Sequence, residues 1–261
     1  MTALDEFARS RAILEQLDSQ GRVLVASLAD QLGVSTVTIR KDLEALEQRS
    51  VLRRVRGGAV RAAVSDEGSF ESRLRHRRAA KEAIADAVAP LVRDGDVIAL
   101  DSSSTCHYLA QQLLDRRGLV VVTNSLPTAT LLSERTDANV LLPGGVVRRS
   151  ARSLVGLVGD VLAGRGRIDR GFLGGHSISV EHGLLDLANE EAQAKRYLAD
   201  ACTEVYALID SSKFGGFSIH PCVPIGRLAA VYTDDGVDPV QAAAITAAGV
   251  PVHAVAMEPR A

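Results

Sequence analysis

At 261 residues, with 46% hydrophobic and 24% charged side chains, the chain has the make-up of an ordinary globular protein, long enough for one large or two small cores. A formal net charge of −2 excludes a polycation, so any nucleic-acid surface has to be local. Cys106, Cys202 and Cys222 lie far apart and form no C-x-x-C pair, which speaks against a zinc site or a disulfide framework. No metal and no cofactor is expected. The opening MTALDEFARS has early acids and no apolar stretch of a secretory signal, and no apolar run approaches a membrane span. A cytoplasmic protein without membrane contact is expected.

Leu4, Phe7, Ile13, Leu14 and Leu17 mark a first helix, with Gly21 as its stop. Val25, Leu28, Ala29 and Leu32 mark a short second helix, and Gly33 lies in the turn before a third over residues 35–49. Ser35 is placed to cap that helix by accepting from a backbone N–H one turn on. Ile39, Leu43 and Leu46 give it one apolar face. Thr36, Arg40 and Lys41 fall mostly off that face near its N-terminal half, an arrangement that suits insertion into a DNA major groove. Helix, short helix, glycine turn and capped helix together spell helix-turn-helix. In the following VLRRVRGGAVR, Val51, Val55 and Val60 are strand formers and Gly57-Gly58 signals a hairpin. Arg53, Arg54, Arg56 and Arg61 have no acid among them. This reads as a β-wing whose arginines meet phosphates beside the groove.

Residues 62–69, AAVSDEGS, suit a linker. Residues 70–81 carry five cations against one acid, either near DNA or on the exposed face of a connecting helix. The expected division is a winged helix-turn-helix domain at 1–61, a linker at 62–75 and a second domain at 76–261. That second domain alternates helices with short apolar strands. A helix over 80–92 precedes a strand at 97–100, and a helix through Leu109 and Leu113 precedes one at 119–124. A helix near 128–132 leads to a strand at 139–145, and later strands are expected at 171–174, 205–210, 229–233 and 250–255. Such alternation predicts a Rossmann-like α/β fold with a mostly parallel sheet covered on both faces.

In such sheets ligands bind beyond the carboxyl ends of the strands. The polar residues there are Asp101, Ser102, Ser103, Ser104 and Thr105; Thr123, Asn124 and Ser125; Gly144 and Gly145 with Arg148 and Arg149; Gly174 and Gly175; and Asp210 through Lys213. Hydroxyls and N–H groups at the start of the helix after Asp101 suit an anion such as phosphate. Five polar strand ends in one sheet favour a small phosphate-bearing ligand. Cys106 reads as a buried, inert thiol. His107, His176, His182 and His220 lack the i, i+4 pairing that suggests a metal, and His176, after Gly175, is a lesser candidate for ligand contact.

Arg9, Ile13 and Leu17, followed by Ser35-x-x-Thr38-Ile39-Arg40-Lys41-Asp42-Leu43 and by Leu46-Glu47 through Arg54-Val55-Arg56-Gly57-Gly58-Ala59, resemble the signature of the DeoR family of bacterial regulators, with Arg56 where a histidine is common. The resemblance continues through Asp101 to Thr105, Val122-Thr123-Asn124, Gly144-Gly145-x-x-Arg148, Leu154-x-Gly156, Phe172-Leu173-Gly174, Gly183-Leu184, Lys195-Arg196 and Asp210-x-x-Lys213-Phe214-Gly215. These are similar to that family's sensor domain, which is akin in fold to ribose-5-phosphate isomerase. The resemblance implies a repressor in which Thr36, Thr38 and Arg40 touch base edges or phosphates, while Lys41 and the wing arginines hold phosphates. Ser35 and Gly57 complete that expected DNA-contacting set. Asp42 is expected to orient a neighbouring arginine. The implied effector is a phosphorylated sugar or related metabolite, its phosphate on Ser102 to Thr105, with Lys195 and Lys213 supplying charge. Ser103 stands where the family commonly has glycine, which restricts close backbone approach.

The expected function is therefore a ligand-controlled transcriptional regulator, in the main a repressor of carbohydrate metabolism genes, binding double-stranded operator DNA as a dimer or tetramer. The rival is a sugar-phosphate isomerase-like enzyme with a DNA-binding arm and Asp210, Asp169 or Glu190 as base. A nonspecific nucleoid protein fits the near-neutral charge poorly.

Overall fold

The computed structural model describes residues 6–48, 52–61, 69–159, 166–216 and 218–257, the side chains of residues 6, 7, 18, 48, 53, 61 and 157 excepted. Leu4, Val51, the linker residues 62–68 and the side chains of Phe7, Arg53 and Arg61 thus lie outside the described residues. The chain forms two compact units, Met1–Gly68 and Ser69–Ala261.

In the first unit, α1 (Glu6–Gln20) leads to β1 (Arg22–Leu24), α2 (Val25–Leu32), α3 (Thr36–Gln48) and the hairpin β2 (Leu52–Val55) and β3 (Gly58–Arg61). Ile13, Leu14, Leu17, Leu28, Ile39, Leu43, Leu46 and Leu52 are all buried, so each helix turns its apolar stripe to one shared core. β1 has no counterpart among the expected elements. It pairs antiparallel with β3, giving the order β1-β3-β2. Gly58 belongs to β3 rather than to the turn, which Arg56 and Gly57 make. A Cβ on Gly58 would lie 1.9 Å from the Val23 carbonyl oxygen, so only glycine lets β3 pass so close to β1.

The second unit opens with α4 (Phe70–Arg75) and α5 (Arg78–Val88), the latter ending in a 3₁₀ turn. α4 falls inside the stretch expected to be linker. Its Ser69 cap accepts from Ser72 N–H, and Phe70 is buried. Then follow β4 (Val97–Leu100), α6 (Ser104–Gln112), β5 (Val120–Thr123), α7 (Leu126–Arg135) and β6 (Asn139–Leu141). β7 (Gly144–Arg148) and β8 (Ser153–Val158) form a separate hairpin. β9 (Ile168–Leu173), β10 (Ser177–Ser179), β11 (Gly183–Asp186), α8 (Asn189–Ala201) and β12 (Cys202–Leu208) come next. β13 (His220–Val223), β14 (Ala230–Asp234), α9 (Pro239–Ala247) and β15 (Val252–Val255) complete the described elements.

Among the described residues the main sheet has seven strands in the order β15-β14-β12-β9-β4-β5-β6, and every pair in it is parallel. Alternate side chains serve opposite faces. Ile98, Leu100, Val121, Phe172 and Leu208 meet Ile84, Val88 and Leu109 on one side. Ala99, Val122, Leu173 and Ala207 meet Leu198, Ala199 and Ile245 on the other. This double burial is why these strands read as continuous apolar runs. From β4 the chain winds outward through β5 and β6; from β9 it winds the other way through β12, β14 and β15. The sheet therefore switches direction between its neighbours β4 and β9.

Two strand expectations need correction. Gly144 and Gly145 do not end a strand of the main sheet: β6 stops at Leu141, and both glycines begin β7, exposed. The antiparallel strands β10, β11 and β13, which form their own sheet, were not foreseen.

Candidate functional site

In the first unit the Ser35 hydroxyl accepts from Thr38 N–H at 3.1 Å and lies 2.9 Å from the Thr38 hydroxyl. Both side chains thus complete the cap of α3. Thr36, Arg40 and Lys41 are exposed on its outward side, as are Arg56 and Gly57 at the hairpin tip. Arg54 is engaged within the unit. Its N–H donates to Glu47 at 2.7 Å, and its guanidinium lies 3.7 Å from Glu47 and 3.9 Å from Glu44. Arg54 thereby ties the wing to α3, a contact that the absence of acids within the wing itself concealed. Arg54, Gly57, Gly58, Arg40 and Val25 line a cleft of about 160 Å³ between helix and wing.

Asp42 is nearly buried and accepts two bonds from Arg9, at 2.8 and 3.0 Å. This fork ties α1 to α3 and sets the angle at which α3 is presented. Arg9→Ala is expected to destabilise the unit by about 3 kcal/mol, because it leaves a buried carboxylate without its cation. Thermal unfolding of the variant measures this, and a loss under about 0.5 kcal/mol, the range of neutral surface changes, would show that the fork has no structural weight.

In the second unit the C-terminal ends of β4 and β9 meet at the switch point. Asp101 is fully buried; its carboxylate accepts from Lys195 Nζ at 2.7 Å, Gly174 N–H at 2.9 Å and Ser103 N–H at 3.0 Å. Lys195 Nζ also donates to the Gly174 carbonyl at 2.8 Å and lies 3.1 Å from Asp186. Burial alone would push the Asp101 carboxyl up, yet the Lys195 ammonium and the surrounding donors hold it below its ordinary value. Burial pulls Lys195 down, but Asp101 and Asp186 raise it well above the usual lysine range. Both groups stay charged.

One turn before Lys195 on α8, the buried carboxylate of Glu191 accepts from Ser102 Oγ at 3.0 Å, from the Ser153 hydroxyl and from Arg148 at 3.2 Å. Asn124 Nδ2 donates to the Leu154 carbonyl at 3.1 Å, while its Oδ1 is buried without a hydrogen-bond partner among the described residues. Thus Asp101, Ser102, Ser103, Arg148 and Lys195 come together in one network, with Asn124 tied beside it to the strand that carries Ser153. Ser104 and Thr105 are buried at the start of α6. Gly144 and Gly145 sit at the far end of the hairpin from Arg148. Gly175 packs on Leu184, which a Cβ would meet at 2.4 Å.

Ser103 has an ordinary extended backbone (φ −71, ψ 151) and caps α6, its hydroxyl accepting from Cys106 N–H. Its side chain fits because residue 174 is glycine, where a Cβ would lie 2.4 Å from that of Ser103. The residue at 103 therefore needs no glycine backbone here.

Lys213 lies apart, half-buried in a 3₁₀ turn after β12. Beside it Asp210 pairs with Arg77 at 3.1 Å, and Asp234 at the end of β14 takes Arg77 at 2.8 Å and Ser211 N–H at 2.7 Å. Arg77 holds a left-handed backbone (φ 51), a costly conformation for a side chain other than glycine, which these two ion pairs keep in place. Lys81 is turned inward, donating to the carbonyls of Arg73 and His76. Burial first, then the cations Lys213, Arg73 and Arg77 against Asp210, bring its ammonium down to about 8. Residues 70–81 are thus partly a structural brace, not only a solvated basic face.

Glu191, Asp186, Ser153 and Arg77 were missed from sequence. Only Glu191 carried a signal, its i, i+4 spacing from Lys195. The candidate bases are dispersed: Asp169 accepts from Val97 N–H at the start of β4, the opposite end of the sheet, and Glu190 is exposed. Cys106 is buried, its thiol pushed well up by burial and by Asp101.

His107 is also buried, 3.2 Å from the Thr128 hydroxyl and edge-on to Phe70 at 5.3 Å. Burial, then the charge of Arg152, lowers it to about 4. The unfolded chain, with an ordinary imidazole near 6.5, binds this proton more readily, so stability from the neutral ring is lost as pH falls from about 6.5 to about 4. The loss attributable to His107 reaches about 3 kcal/mol at most. Urea midpoints at pH 7, 5.5 and 4.5 should converge less in wild type than in His107→Gln; equal acid sensitivity would refute the assignment.

Residues 9–64 match the model of the DeoR-like helix-turn-helix domain, and residues 76–235 that of the DeoR C terminal sensor domain. The chain belongs to the DeoR family. The HTH-type transcriptional regulator GolR of Listeria innocua serovar 6a is 33% identical over 247 residues, covering 94% of this chain and 97% of the relative. The glycerol-3-phosphate regulon repressor of Escherichia coli strain K12 is 30% identical over 226 residues, covering 87% and 90%. Among solved structures, D-ribose-5-phosphate isomerase in complex with phospho-erythronic acid is a distant likeness, with a TM-score of 0.41 and 17% identity over 52% of this chain and 54% of that one. The sensor-domain match, residues 76–235, lies within the parallel-sheet unit. The two units make a ligand-controlled DNA-binding regulator. Among the described residues no helix is long and apolar enough to cross a membrane.

Proposed function

We propose that the chain represses carbohydrate metabolism genes, and that a phosphorylated sugar or related metabolite controls its grip on operator DNA. The observation that carries this reading is the buried network at the β4–β9 switch point, where Asp101, Ser102, Arg148, Glu191 and Lys195 converge at the place where open α/β sheets bind ligands. Ser102, Ser153 and Arg148, which now serve the Glu191 carboxylate, are the kind of donors that a phosphate takes. Asn124 Oδ1, buried without a partner among the described residues, offers an acceptor for a sugar hydroxyl. The name of the glycerol-3-phosphate regulon repressor, a relative along most of the chain, supports a phosphorylated effector. Asp101 to Thr105, Asn124, Arg148, Gly175 and Lys195 are the proposed effector-site residues; Gly144, Gly145 and Lys213, which lie apart from this network, stay outside it.

On the DNA side, Thr36, Arg40 and Lys41 contact the major groove, and Arg56, Gly57 and Arg53 the adjoining phosphates. Ser35 and Thr38 hold the helix end in shape, and Arg54 holds the wing. A homodimer or tetramer presents two α3 helices to half-sites about one helical turn, or a multiple, apart. The effector acts by preferring the arrangement that does not fit DNA; equal affinity for both would shift nothing. The protein senses rather than transforms its ligand, since Asp169, Glu190 and Asp210 are too scattered to serve as one acid–base set.

A gel-shift titration against DNA upstream of its own gene, at fixed salt and with a panel of sugar phosphates, tests this reading. A specific shift abolished by one compound is expected. A specific shift indifferent to every compound would remove the sugar-phosphate effector, and consumption of a compound would make the protein an enzyme.

A further inference from the structure

Ile39, Leu43 and Leu46 set the buried side of α3. At about 100° per residue, Val37 and Lys41 lie about 160° from Ile39 in opposite senses. They therefore straddle the line that points directly away from the core, while Arg40 stands to one side of it. Val37 is 57% exposed, an apolar side chain in the first turn of a helix whose other exposed residues up to Lys41 are Thr36, Arg40 and Lys41. The hydroxyls of Ser35 and Thr38 are engaged with each other, and Thr36, three residues before Ile39, lies only about 60° from it, so Val37 is the residue of this turn that points away from the core.

A groove-reading helix presents its N-terminal residues to base edges, and in the major groove the one apolar group on any base is the thymine C5-methyl. Valine on a helix is held in essentially one rotamer, so packing it against that methyl orders little that was free. Cytosine carries only a hydrogen at that position, so the same side chain would lose the methyl contact there. We propose that Val37 is a specificity-determining residue that packs on the methyl of a thymine in each operator half-site. The inference rests on the reading of α3 as the DNA-contacting helix.

The test uses the full chain and the duplex it selects from random-sequence DNA. Each thymine is replaced in turn by deoxyuridine, which removes only the methyl, and affinity is measured for wild type and Val37→Ala. At one thymine per half-site, wild type should bind the deoxyuridine duplex about fourfold more weakly, the worth of one buried methyl. Val37→Ala should bind both duplexes alike. Sensitivity to deoxyuridine that is the same in both proteins, or absent in both, overturns the assignment while specific selection keeps α3 as the reading helix. Failure to select any specific duplex would remove the α3 reading and this proposal together.

Discussion

Lys195→Met is expected to lower the unfolding free energy of the Ser69–Ala261 unit by about 3–5 kcal/mol, the usual result of removing one partner from a buried charge cluster. Lys195 is 4% exposed, and Asp101 and Asp186 are 0% and 1% exposed; without the ammonium two buried carboxylates lose the cation that both pair with. The Gly174 carbonyl loses its donor at the same time. The contacts made here join β4, β9, β11 and α8, so the damage falls on the middle of the unit. Urea unfolding followed by circular dichroism gives the value. A triple variant with Asp101→Asn and Asp186→Asn should recover part of the loss, because the uncompensated charges go with the lysine. A loss under about 1 kcal/mol, within the range of an average substitution, would show that the cluster does not hold the unit together.

Arg40→Ala is expected to weaken specific operator binding about 10- to 100-fold, the range for a side chain that contacts a base edge. Arg40 is exposed on α3, so stability should stay within about 0.5 kcal/mol of wild type and effector binding should be unaltered. Lys41→Ala should instead weaken binding to all sequences alike and reduce the salt dependence by about one phosphate contact. Fluorescence anisotropy at two salt concentrations separates the two behaviours. Operator affinity unchanged in Arg40→Ala would dismiss α3 as the reading helix.

What the sequence by itself determined is whatever rests on neighbours along the chain. Ile39, Leu43 and Leu46 recur at the helical period, Ser35 precedes them as a cap, and the run Val97–Leu100 is apolar because both faces of its strand are covered; each signal lies within a few residues of its effect. The strand ends with Asp101, Asn124 and Asp210 were legible for the same reason, since a parallel sheet puts all its C-terminal ends on one side. Only the tertiary structure decided what those ends hold. Asp101 and Lys195 are 94 residues apart, Ser102 and Glu191 89, and Arg77 and Asp234 157, so no local pattern records their pairing. The short antiparallel strands β1, β10, β11 and β13 escaped likewise, because three or four residues owe their extended form to a partner elsewhere in the chain. Arg54 and Ser103 are the sharpest cases. The acid-free wing marked Arg54 as a phosphate contact and the family resemblance marked Ser103 as restricting close backbone approach; the fold adds Glu47, against which Arg54 braces the wing, and Gly174, beside which Ser103 caps a helix.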